Sequence, residues 1–280
     1  MSIPQPLPYQ GSKRRLAPAI LARFPAGVDR LVEPFAGSAA VSLAAAAGGH
    51  ARRFLVGDVL APLAELWAEI LTDPEALAAG YAALWEAQRV DPRGHYDAVR
   101  RAFNQGGGAV RLLYLLNRCV KGAVRFNQVG QFNQSPDNRR LGARPERVRA
   151  RLLAAHALLG GRAEVRAADY ATLMAEAGPA DLVYLDPPWA GVSGRRDARY
   201  REGLDLDRFV AELAHANARG LRYLVSLDGR SGARRYAPGL PASLGLRRID
   251  LFAGRSAQAT LHGRVQETVE SLYLSPGLGG

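Results

Sequence analysis

Four short strand-like runs in this chain end at or close to an aspartate, and this repeated pattern restricts the fold more than any other feature. Arg53 to Gly57 leads into Asp58, Ala163 to Ala167 into Asp169, Leu182 to Leu185 into Asp186, and Arg222 to Leu227 into Asp228. The run Leu182 to Leu185 suits a strand buried on both faces. Segments of helical spacing lie between the four runs, and that alternation implies a mostly parallel, doubly wound sheet. In such a sheet the carboxyl ends of the strands face the ligand crevice. A further strand is expected at Leu31 to Phe35, a helix from about Ala39 to Ala47, and closing antiparallel strands at Arg248 to Phe252 and Ser271 to Ser275.

Between Asp58 and about Arg151 the pattern changes. Pro62 to Leu71, Pro74 to Gln88 and Val110 to Cys119 have helical spacing. Lys121 to Arg140 carries six Asn or Gln side chains and reads as a loop or hairpin. This middle is best read as an insertion, with 1–60 and 150–280 forming the core domain and 61–149 an inserted, mainly helical domain. Six arginines from Arg139 to Arg151 suit either a solvated helical face or phosphate contact.

The richest chemistry lies at Asp181 to Trp189, Asp-Leu-Val-Tyr-Leu-Asp-Pro-Pro-Trp. Here the strand ends in the carboxylate of Asp186, and Pro187 and Pro188 cannot extend a ladder and make a stiff turn. Acid, fixed backbone carbonyls and the Trp189 ring then project together into the crevice. Such a set suits an exocyclic amino group on a flat base. Asp186 and the Pro187 carbonyl can accept its two N–H hydrogens while Trp189 stacks on the ring.

Composition narrows the partner. The 280 residues have room for one large domain with an insertion, and 48% hydrophobic with 22% charged content is that of a soluble globular protein. There is no basic leader followed by an apolar run and no stretch of about 18 apolar residues, so secretion and membrane spanning are not expected. Cys119 is the only cysteine, which rules out an intramolecular disulfide and a cysteine-based zinc site and fits a cytoplasmic home. None of the five histidines has metal-ligand spacing, so no metal is expected. The net charge of +11 favours a polyanionic partner, nucleic acid first.

Glu33-Pro34-Phe35-Ala36-Gly37-Ser38 is a strand-to-turn segment with small residues where a ligand could approach backbone closely. Only Gly37 is present of the Gly-x-Gly-x-x-Gly dinucleotide pattern, which weakens a dehydrogenase reading. Asp58 follows about twenty residues later, where an acid can accept hydrogen bonds from ribose hydroxyls.

Taken together these segments resemble Dam-type (alpha-group) site-specific DNA adenine N6-methyltransferases, over Tyr9 to about Ser275. Asp-Pro-Pro-Trp resembles that family's catalytic motif, with Trp189 in place of the commoner tyrosine. Pro-Phe-Ala-Gly-Ser resembles its S-adenosylmethionine motif, and Tyr9-Gln10-Gly11-Ser12-Lys13 its N-terminal motif. The resemblance implies a Rossmann-like methyltransferase sheet carrying a helical target-recognition insert. It implies S-adenosylmethionine contacts from Tyr9, Lys13, Glu33, Pro34, Phe35, Gly37, Ser38, Asp58, Asp169 and Asp186, and catalysis by Asp186, Pro187, Pro188 and Trp189. In particular, the Tyr9 ring would pack near the sulfonium and the Lys13 ammonium would pair with carboxylates around it. Asn117 to Asn133 resembles the DNA-contacting stretch, which points to Arg118, Lys121, Arg125, Asn127, Gln131 and Asn133. Arg, Asn and Gln make bidentate contacts to base edges, and phosphates take Arg and Lys. After Phe132-Asn133 the family's usual Val-Pro is replaced by Gln134-Ser135, a departure from the pattern in this loop.

The expected activity is methyl transfer to adenine N6 in duplex DNA by base flipping, in a restriction-modification, phage or epigenetic setting. A cognate restriction endonuclease, a monomeric or weakly dimeric state and a bacterial or phage cytoplasm go with that expectation. Cytosine N4 methylation usually goes with Ser-Pro-Pro-aromatic and protein glutamine methylation with Asn-Pro-Pro-aromatic, and Asp186 together with the basic insert argues against both. A catalytically silent DNA-binding module is the alternative from another class. Tyr9, Lys13, Gly37, Asp58 and Asp186 are all present, which disfavours it.

Overall fold

The computed structural model describes residues 3–188, 204–231, 234–235, 239–255 and 267–278. Its centre is a sheet in the order β3-β2-β1-β4-β5-β8-β7, with β6 (Arg234–Arg235) paired to β5 off that path. The strands are β1 (Val28–Glu33), β2 (Ala51–Asp58), β3 (Ala163–Ala167), β4 (Leu182–Leu185), β5 (Arg222–Ser231), β7 (Arg247–Arg255) and β8 (Glu267–Leu274). The five from β3 to β5 are parallel, whereas β8 runs antiparallel to both β5 and β7. This is the expected mixed sheet of a Rossmann-like methyltransferase. Pro34 closes β1 at Glu33, two residues before the expected end, because proline has no N–H for the ladder. β5 runs on to Ser231, past the expected end at Leu227, because β8 continues to pair with it.

The continuous apolar runs are explained by their alternation. Leu31, Phe54, Val56, Leu182 and Tyr184 feed one core, and Val32, Leu55, Val183 and Leu185 feed the other. Helices α8 (Tyr170–Ala175) and α9 (Leu206–Ala218) cover the second face. On the first face lie α1 (Ala17–Leu21), α2 (Ala40–Ala47), α3 (Ala61–Thr72) and α7 (Pro145–Leu159), whose buried side chains join that core. β1 lies between β2 and β4, so the chain leaves β1 in one direction and returns on its other side at β4. A crevice opens at such a reversal, beyond the carboxyl ends of the two strands.

Between α3 and α7 the chain builds α4 (Pro74–Ala87), α5 (Pro92–Gly106) and α6 (Ala109–Arg118). Helix α5 was absent from the expected set because its apolar content is low. Asp91 caps its first turn by accepting from the Gly94 N–H, Pro92 follows, and Tyr96, Val99 and Phe103 form its buried stripe. No helix among the described residues is long and apolar enough to cross a membrane.

Residues 119–144 are mostly irregular, so their backbone groups need side-chain partners. Tyr81 donates to the Ala143 carbonyl (2.6 Å), Gln88 to Leu141 (3.0 Å) and Tyr96 to Gln134 (2.8 Å). Asn104 receives the Phe132 N–H and donates to the Phe132 carbonyl. Phe103, Phe126 and Phe132 pack in tilted and edge-to-face contacts, and Phe126 and Phe132 form an antiparallel bridge. The stretch is therefore a hairpin-like loop fastened to α4, α5 and α6.

Arg118 requires a correction. Expected among the DNA contacts, it is 2% exposed. Its Nε donates to Gln88 Oε1 (2.6 Å), Nη1 to the carbonyls of Asp137 and Arg140, and Nη2 to that of Pro92 (3.4 Å). With its donors committed to the protein interior, it ties the loop to α4 and α5 and presents nothing to DNA. Arg118→Met should strand several of these acceptors and cost about 2–4 kcal/mol of stability. Urea unfolding of the variant checks this, and an unchanged midpoint would show that the tie contributes nothing.

Candidate active site

At the carboxyl end of β1 the chain turns sharply through Pro34 to Ala39. Gly37 sits at φ 50°, and a Cβ there would lie 2.8 Å from the Tyr9 ring, so both backbone and neighbour call for glycine. Four bonds brace the turn. Ala36 N–H donates to Gly57 O (2.8 Å), Gly37 N–H to Asp58 Oδ2 (3.2 Å), Trp67 Nε1 to Gly37 O (2.9 Å), and Ser38 Oγ to Ser12 Oγ (2.8 Å). The last bond fastens the N-terminal segment against the turn.

A cleft opens there, lined by Tyr9 to Lys13, Glu33, Phe35 to Ser38 and Asp186 to Pro188. Lys13 Nζ lies 2.8 Å from Asp186 Oδ1 and 3.2 Å from Glu270 Oε1. Asp186 follows β4, held between a buried strand and two buried prolines. Glu33 is 3% exposed and accepts from both the N–H and the hydroxyl of Ser42 on α2. Burial pushes its carboxyl up to about 7, against the Ser42 hydrogen bonds, and the nearby charge of Asp186 adds to the rise. The cleft thus combines close backbone approach at Gly37 with two carboxylates around one ammonium. S-adenosylmethionine, with a positively charged sulfonium and a polar amino-acid tail, is compatible with that donor and acceptor set.

The remaining expected contacts separate. Pro34 is buried behind the turn and does not line the cleft. Asp58, 2% exposed, also lies behind it, with Oδ1 accepting from Leu60 N–H (3.0 Å) and Oδ2 from Gly37. Burial raises its carboxyl to about 6. Asp169 caps α8 through Ala171 N–H (3.0 Å) and pairs with Arg208, whose guanidinium lies over Tyr170. It too is outside the cleft lining. Trp189 and the arginine-rich stretch 191–201 lie outside the described residues.

In the polar loop Lys121, Arg125, Gln131 and Asn133 are exposed. Asn127 is half-buried and holds its turn, Oδ1 accepting from Val129 N–H (3.1 Å) and Gln131 N–H (2.9 Å). Asn127, Gln131 and Asn133 line a groove with Arg100, Arg101 and Asn104 of α5. Gly122, at φ 57°, rests on Pro8, where an added Cβ would meet backbone at 3.0 Å. The loop is therefore packed against the segment that carries Tyr9. The groove brings the loop together with α5, whose own range the apolar pattern of the sequence does not mark.

Comparison with known proteins settles the class. Residues 9–217 match the model of the D12 class N6 adenine-specific DNA methyltransferases. The chain belongs to this family. A DNA N-6-adenine-methyltransferase of Escherichia phage P1 is 28% identical over 89% of the chain, which spans only 32% of that protein's length. The Retron Ec67 DNA adenine methylase of Escherichia coli is 30% identical over 79% of the chain and 75% of its own length. A DNA adenine methylase of Vibrio cholerae is 27% identical over 82% of the chain and 83% of its own length. For a D12-class methyltransferase the methyl donor is S-adenosylmethionine and the substrate is DNA.

The raised carboxyl of Glu33 has a signed consequence for this methyltransferase. Between about pH 4.5 and 7 the folded protein holds a proton on Glu33 that the unfolded chain has released. Stability should therefore fall as pH rises through that window. Asp58 acts in the same direction at slightly lower pH. Glu33→Gln should flatten the fall by on the order of 3 kcal/mol. Urea unfolding at pH 4 and pH 8 measures it, and parallel pH dependences for both proteins would sink the assignment.

Proposed function

We propose that this chain methylates adenine N6 within a short duplex DNA sequence, with Asp186 and the Pro187 carbonyl acting on the target amine. The observation that carries this reading is Asp186 itself. It stands at the carboxyl end of β4, at the sheet's reversal point, beside the Gly37 turn and against Lys13.

The amino nitrogen of adenine is a poor nucleophile because its lone pair is delocalised into the ring. Hydrogen bonds from both amino hydrogens to Asp186 and the Pro187 carbonyl draw it towards tetrahedral geometry and expose that pair. The bound cofactor supplies an electrophilic methyl group on a sulfonium. Methyl transfer from it would form the N–C bond with the C–S pair left on sulfur, and the extra amino proton would be lost to water. The contribution of the protein is charge stabilisation and positioning, with no covalent enzyme intermediate. Pro187 and Pro188 stiffen the turn that holds the two acceptors. The amine is out of reach while stacked, so the base must flip out, and Trp189 is the ring assigned to stack on it.

Tyr9, Lys13, Glu33, Phe35, Gly37 and Ser38 form the cofactor wall in this reading, with Asp58 bracing it from behind. Lys121, Arg125, Gln131 and Asn133 contact DNA. Exposure supports that role for all four, and for Gln131 and Asn133 so does the groove shared with α5.

Asp186→Ala should leave a folded, DNA-binding protein whose methyl transfer is slower by about a hundredfold or more, equivalent to about 3 kcal/mol of barrier. Transfer of labelled methyl groups to duplex DNA measures the loss, and near-normal turnover removes Asp186 from the chemistry. Methylome sequencing of a host expressing the chain identifies base, atom and sequence context together. Modification at cytosine N4 would overturn the adenine assignment.

Arg125→Ala tests the loop. If Arg125 reads a base, discrimination between cognate and altered sites should drop by about 1–3 kcal/mol. Contact with phosphate alone should instead weaken binding equally on all sequences and make the salt slope shallower by about one unit. Assays on single-base variants at several salt concentrations separate the two. No change in either quantity would take Arg125 out of the interface.

A further inference from the structure

Strand β8 carries an acid where the fold asks for none. Val269, Leu272, Tyr273 and Leu274 are buried, and Glu270 among them is only 7% exposed. A carboxylate in such surroundings costs several kcal/mol unless it is paired and hydrogen-bonded, and a well-packed apolar residue commonly serves stability as well or better. Its partners are specific. Glu270 Oε1 meets Lys13 Nζ at 3.2 Å, and Oε2 accepts from Ser226 Oγ of β5 at 3.4 Å. Because β8 runs antiparallel beside β5, Glu270 stands opposite Asp228, at the carboxyl end of the parallel strands. That is the edge on which Asp186 also lies.

Lys13 is the link. Its side chain has four rotatable bonds, and a long side chain held by one ion pair keeps much of its rotamer freedom. Here the ammonium, with three donors, is held by Asp186 Oδ1 at 2.8 Å, by Glu270 Oε1 at 3.2 Å and by the Gly11 carbonyl at 3.5 Å. Contacts on several sides fix the position of the charge, and through it one oxygen of Asp186.

We propose that Glu270 is a positioning residue for methyl transfer, clamping Lys13 so that its ammonium holds the Asp186 carboxylate in the orientation that receives the target amine. The inference rests on the reading of Asp186 given above. Glu270 touches neither base nor cofactor in this scheme and acts through Lys13. Removing it should affect the chemical step and leave DNA binding intact.

The test is a mutant cycle read by single-turnover methyl transfer at saturating DNA and cofactor, with DNA affinity measured in parallel. Glu270→Leu suits an apolar strand and removes the clamp. Its rate should drop about tenfold with DNA affinity within about twofold of the parent. Glu270→Gln keeps an acceptor oxygen for Lys13 and should retain more of the rate than Glu270→Leu. In a Lys13→Ala background, adding Glu270→Leu should cause no further loss, because the residue through which it acts is gone. Rate losses that multiply across Lys13 and Glu270 would overturn the proposal, as would a parental rate in Glu270→Leu. If Glu270→Leu does not fold, the same cycle is run with Glu270→Gln, and multiplying losses again overturn it. Failure of the Asp186 reading has a different signature, methyl transfer persisting in Asp186→Ala whatever the cycle between Lys13 and Glu270 returns.

Discussion

A left-handed glycine at the end of the first strand sets the geometry of everything around the cleft. Gly37 takes φ 50° and leaves no room for a side chain under the Tyr9 ring. Its N–H is held by Asp58, its carbonyl by Trp67, and the next residue by Ser12. These partners come from β2, α3 and the N-terminal segment, so the turn is where sheet, covering helix and cleft wall meet. The buried carboxylate of Asp58, raised to about 6, shows that holding this turn carries an electrostatic cost. The cost is offset by backbone donors, which is the usual condition for keeping a buried acid.

Much of this was legible before any coordinates. Strands buried on both faces leave unbroken apolar runs, and the acids at their ends mark the crevice. The β2, β3 and β4 runs of the sequence correspond closely to strands of the sheet. Motif spacing also singled out most of the cleft wall, since the Tyr9, Gly37 and Asp186 segments do converge. The misses share a physical origin. Helix α5 has only Tyr96, Val99 and Phe103 to bury, and the Asp91-Pro92 cap was the signal that could have revealed it. Arg118 sits in a polar stretch and reads as surface, whereas its donors are spent on the carbonyls of Asp137 and Arg140 in the loop. Asp58 and Asp169 have the right spacing for ligands, yet spacing cannot tell a carboxylate aimed at solvent from one that holds a turn or caps a helix. Glu270 could have been suspected, because an acid inside the run Val269 to Leu274 is out of place in a buried strand.

Charge is distributed unevenly over the molecule. The chain as a whole is strongly basic, at +11. At the cleft, the carboxylates of Asp186 and Glu270 meet the single ammonium of Lys13. A polyanion is attracted to the body of the protein, while the pocket favours cationic or hydrogen-bond-donating groups.

The contact between Gly122 and Pro8 joins two parts of the chain usually considered apart. One is the root of the loop that carries Lys121 and Arg125, and the other is the strap that carries Tyr9 and Lys13. An added methyl group there would press on the Pro8 backbone at 3.0 Å, so glycine lets the two segments lie this close. The polar loop and the cleft wall are therefore braced on each other at this point.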